Sequence, residues 1–74
     1  MPSLSPAKRQ RMRDAIEALP EPTRTVYLAH LLQGDDYTQI GAREGLTVRE
    51  VERHIADAIL LIDRFLLGAA ERGQ

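Results

Sequence analysis

Apolar residues recur at helical spacing from the first third of the chain onward. Met12, Ala15, Ile16 and Leu19 fall at i, i+3, i+4 and i+7. Ser5 as a cap and Pro6 at the first helical position predict a helix from Pro6 to about Leu19, which Pro20 and Pro22 end. Pro22 also suits the start of a second helix reaching about Gln33, with Gly34 as its stop. Its Val26, Tyr27, Leu28, Ala29, Leu31 and Leu32 surround most of the circumference, so this helix is expected at the centre of the fold.

The second half of the chain is read from its capping residues. Asp36 and Gln39 predict a short third helix, Tyr37 to Glu44, closed by Gly45 in the left-handed conformation. Thr47 and Glu50 form a T-x-x-E capping box, and Leu46 and Val51 occupy the two positions of a hydrophobic staple, so a last helix starts at Val48. Val51, Ile55, Ala58, Ile59, Ile62 and Leu66 carry its apolar stripe to about Leu67, before Gly68 and a polar tail. The expectation is a single all-α domain over residues 1–74, a small four-helix fold with a C-terminal helix-turn-helix and a long last helix. Residues 1–5 form a flexible start and 68–74 a flexible tail.

In a helix-turn-helix the second helix enters the major groove and its early residues meet base edges. Ile40, Leu46, Val51 and Ile55 would hold the two helices together, and the small Gly41 and Ala42 would let their backbones approach. From spacing alone the same segment equally describes a plain helical hairpin.

Charge and composition narrow the picture. The net charge is −1, which argues against tight DNA binding by the isolated chain. Lys8, Arg9, Arg11 and Arg13 outnumber Asp14 and Glu17 in the first 20 residues, a run that serves either phosphate contact or a solvated helix face. The absence of cysteine excludes disulfides and cysteine-based zinc sites. No apolar run approaches the ~20 residues that cross a bilayer, so a soluble cytoplasmic protein without a membrane partner is expected. His30 and His54 lie on different helices without companion ligands and are expected to be half-buried structural residues. No metal site, cofactor or catalytic constellation is apparent, and the reading is not an enzyme.

Ala18-Leu19-Pro20, Arg24-Thr25-Val26-Tyr27-Leu28, Gly34, Tyr37-x-x-Ile40, Gly45-Leu46-Thr47-Val48 and Val51-Glu52-Arg53-His54-Ile55 together resemble region 4 of the sigma-70 superfamily, particularly its extracytoplasmic-function group. The resemblance covers roughly residues 15–67. It implies a domain that binds the −35 promoter element through its helix-turn-helix and docks on the β-subunit flap of RNA polymerase, with an anti-sigma factor as a further partner. It does not extend to the region that melts promoter DNA. Three positions depart from the family pattern. Glu44 stands where an apolar Leu is common and is expected to loosen packing. Asp57 stands at a frequently basic position and repels phosphate. Gly41 replaces the usual Ala at about 1 kcal/mol of helix propensity.

On the recognition helix, Arg49 and Arg53 lie one turn apart, and each can grip the O6 and N7 acceptors of guanine; the competing role for Arg53 is an i, i+4 pairing with Asp57. Glu52 could accept from a cytosine amino group, Val48 could touch a thymine methyl, and Thr47 with the helix N-terminal amides could hold a phosphate. Arg43 and Arg24 are phosphate candidates with an equal claim to surface ion pairs. Further along, Leu60, Leu61, Phe65 and Leu67 make the last helix apolar around most of its circumference. They suit either a core or a partner surface.

Two functions follow from these features. One is promoter recognition while held on polymerase, where tethering offsets weak intrinsic affinity. The other is an interaction module that binds polymerase, an anti-sigma factor or a second copy of itself without reading DNA.

Overall fold

The computed structural model describes the backbone of residues 6–72 and the side chains of residues 6–68. It contains α1 (Pro6–Glu17), α2 (Thr23–Leu28) continuing into a π-helical turn (Ala29–Gln33), α3 (Tyr37–Glu44) and α4 (Val48–Arg72). No strand occurs among the described residues. The expected Ser5 cap and residues 1–5 lie outside them.

The starts of α3 and α4 fall where the capping residues place them, whereas three helix ends differ from expectation. α1 stops at Glu17, and Leu19 N–H donates to the Ile16 carbonyl at 3.1 Å in a tightened final turn. The cause is local, since Pro20 disfavours helical backbone at the residue before it. Leu19 is still buried. The second helix does not keep α-helical geometry to Gln33; its backbone widens after Leu28. Leu31 and Leu32 consequently stand 52% and 73% exposed, so the all-round burial expected of this helix holds only through Ala29. α4 continues through Gly68 to Arg72. A single helical glycine is a penalty of about 1 kcal/mol, and the residues after it, Ala69-Ala70-Glu71-Arg72, are good helix formers.

α4 is the spine of the fold. Its first half packs with α2 and α3 around Val26, Ala29, Ile40, Val51 and Ile55, with Tyr37 and Leu46 at the edge. Its second half packs on α1 around Ala15, Leu19, Ala58 and Ile62, with Met12, Ile16, Tyr27, Phe65 and Leu66 half-buried beside them. Phe65 is thus mostly a core contact, while Leu60 and Leu67 stand in solvent, as does Ile59 despite its place in the apolar stripe. α1, α3 and α4 each keep an exposed face, whereas no residue of α2 is exposed.

Candidate nucleic-acid interface

Reciprocal capping builds the helix-turn-helix. The Asp36 carboxylate accepts from the Gln39 backbone N–H at 2.8 Å, while the Gln39 side chain accepts from the Asp36 N–H at 3.0 Å. Gly45 closes α3 with φ of +71°, a conformation that side-chain-bearing residues adopt at a penalty. Leu46 N–H then returns to the Gly41 carbonyl at 2.9 Å. α4 repeats the capping pattern, with Glu50 N–H donating to the Thr47 hydroxyl at 3.1 Å and Thr47 N–H donating to the Glu50 carboxylate at 2.9 Å. Both helix starts satisfy backbone donors that would otherwise be orphaned.

The turn also explains Gly41. A Cβ placed there would lie 2.6 Å from the backbone carbonyl oxygen of Leu46. The expected propensity penalty is real, but in this chain the glycine allows the turn to close on α3. Gly41→Ala would gain about 1 kcal/mol of helix propensity and lose about 1–3 kcal/mol to overpacking against a backbone atom. The expected result is a lower melting temperature, measured by circular dichroism; an unchanged or raised one would show that the turn yields.

Glu50 is held below the ordinary carboxylate pKa of 4.5, first by the Thr47 backbone N–H and then by the Thr47 side chain, with smaller help from His54 and Arg53. A carboxylate with a depressed folded pKa stabilises fully above its unfolded value, and that contribution disappears as pH falls through the folded one. Glu50→Gln keeps a capping side chain but removes the titration. Wild type is therefore expected to melt higher than Glu50→Gln at neutral pH, and the gap to close as pH drops below 4.5. A gap independent of pH in thermal melts would contradict this.

The structure places Thr47, Val48, Arg49, Glu52 and Arg53 together on the exposed side of the first two turns of α4. Arg49 and Arg53 make no ion pair among the described residues, so the Arg53–Asp57 pairing that the sequence allows is not formed. The other two arginines are engaged. Arg43, on α3, is ion-paired with Asp35, which raises its pKa, and lies 3.8 Å from Glu44. Glu44, expected to loosen packing, is half-buried at the rim rather than in either core. Arg24 donates two hydrogen bonds to Glu21, at 3.0 and 2.8 Å, and Glu21 also accepts from the Thr25 hydroxyl and N–H. Thr25 first, then Arg24, lowers the Glu21 pKa.

One contact has no counterpart in the sequence pattern. Thr23, buried at the start of α2, hydrogen-bonds His54 Nδ1 at 2.8 Å and so ties α4 to α2. The pair lies 31 residues apart, and no local pattern announces it. His54 is half-buried as expected. His30 is exposed, with its ring 5.6 Å from that of Tyr37, because it follows the widening of the second helix. Among the described residues no three His, Cys, Asp or Glu side chains gather where a metal could sit, and no helix is long and apolar enough to cross a membrane.

A family profile described as Sigma-70, region 4 matches residues 9–62, which includes all of α2 and α3, most of α1 and the first fifteen residues of α4. No curated protein and no solved structure matches the chain.

Proposed function

The chain belongs to the sigma-70 region 4 family, and we propose that it reads a −35-like promoter element through α4 while held on RNA polymerase in the cytoplasm. One observation carries this reading: the two arginines on the exposed start of the capped α4 make no ion pair among the described residues, while Arg24 and Arg43 are tied to carboxylates. Arg49 and Arg53 contact base edges. Val48 and Glu52 flank them, and Thr47 with the first amides of α4 meets a phosphate. Arg43 reaches phosphate only by leaving Asp35. With a net charge of −1, intrinsic affinity is low, and polymerase supplies the local concentration that makes it sufficient.

A groove of about 500 Å³ between α1 and the second helix, lined by the apolar Met12, Ile16, Leu28, Leu31 and Leu32 and by the charged Arg9, Arg13 and Glu17, suits an amphipathic helix, and we assign it to the polymerase β flap. An anti-sigma factor would compete for the same domain. The test is fluorescence anisotropy of labelled duplexes at low and near-physiological salt, with and without polymerase. Saturable, salt-sensitive binding that disappears in Arg49→Ala/Arg53→Ala supports the reading. Absence of binding under every condition overturns it and leaves a protein-interaction module.

A further inference from the structure

Neither core uses the outer face of α4 beyond the recognition turns. At about 100° per residue, Arg53, Asp57, Leu60, Leu61 and Arg64 share that face. Leu60 and Leu61 are 50% and 37% exposed, so the fold covers this pair of leucines only in part. Leu61 and Arg64 also rim a hollow of about 420 Å³ lined by Ala15, Ala18, Leu19, Pro20 and Phe65, which extends the apolar surface beside the charged residue. Asp57 and Arg64 are exposed, and neither makes an ion pair among the described residues. Seven residues apart, about 10 Å along one helix, they are too distant to pair with each other.

Their placement is nevertheless regular. Asp57 lies as far before the midpoint of Leu60 and Leu61 as Arg64 lies after it. An antiparallel helix carrying the same sequence brings acid opposite base at both ends of the leucine pair. We propose that α4 pairs antiparallel with α4 of a second copy, about a two-fold axis between Leu60 and Leu61. The leucine pairs of the two copies then pack against each other across the axis, and two reciprocal Asp57–Arg64 bridges flank them, the self-complementary arrangement of an isologous dimer.

The paired segment, residues 53–68, is only about 24 Å of helix, so the interface is smaller than a standard one. The dimer is weak and reversible, with a Kd on the order of 0.1 mM. On the DNA-reading role proposed above, the second copy and the duplex compete for Arg53. Self-association itself does not depend on that role, and its test contains no DNA.

The experiment is sedimentation equilibrium of the full chain from about 0.01 to 1 mM, spanning the expected Kd. The average mass should rise from 8.3 kDa toward twice that value. Asp57→Arg and Arg64→Asp each place like charges opposite each other and should be monomeric alone. Mixed in equal amounts they should re-form a dimer, because one of the two bridges then joins the new arginine to the new aspartate and the other joins the two native residues. Leu60→Glu/Leu61→Glu should be monomeric with an unchanged helical spectrum. A wild-type chain that stays monomeric throughout overturns the proposal. Self-association that survives both charge reversals, or a mixture of the two variants that stays monomeric, overturns it as well.

Discussion

With Arg49 and Arg53 both replaced by alanine, affinity for a promoter duplex is expected to fall at least about 30-fold at fixed salt. Each arginine gripping a guanine edge with two hydrogen bonds discriminates by about 1–3 kcal/mol, so removing both grips together weakens binding by more than one order of magnitude. The folded state should be indifferent. Both side chains are exposed and make no ion pair among the described residues, and surface changes of that kind alter stability by no more than about 0.5 kcal/mol. Arg43→Ala is the informative comparison. Its guanidinium is already paired with Asp35, so its removal should weaken binding far less. Anisotropy titrations of the three proteins on one duplex decide the matter: equal affinities for wild type and double variant would remove α4 from base reading.

What the chain discloses before folding is mostly what lies within a few residues. Thr47 and Glu50 announce the start of α4 because a capping box is complete within four residues, and Asp36 with Gln39 does the same for α3. The start of α4 and the exposure of Arg49 and Arg53 on it are legible for that reason. Gly68 reads as a stop because glycine often ends helices, yet with nothing after it to break the helix, α4 continues. The widening after Leu28 leaves no local mark, and it removes the cover that the apolar pattern predicts for Leu31, Leu32 and His30. The state of each arginine is illegible too. Whether Arg43 or Arg53 finds a carboxylate depends on how Asp35 and Asp57 are carried in space, and among the described residues the structure pairs Arg43 with Asp35 but not Arg53 with Asp57.

The apolar stripe of α4 illustrates the same limit energetically, because Ile59 belongs to it by spacing and yet is 57% exposed, whereas Ile40 of α3 is completely buried. One substitution at both sites separates pattern from packing. Ile40→Ala removes a side chain from the core that joins α2, α3 and α4, and truncations of this kind destabilise by about 2–5 kcal/mol. A 74-residue chain has roughly 4–11 kcal/mol of stability in total, so the variant should melt at least about 10 °C lower. Ile59→Ala should shift the melt by only a few degrees, since more than half of its surface stays in water on folding. Because Ile40 sits under the turn that orients the recognition helix, DNA affinity should fall with it even below the melting transition, while Ile59→Ala leaves affinity unchanged. Equal shifts in thermal melts of the two variants would mean that the helix-turn-helix is not held by this core.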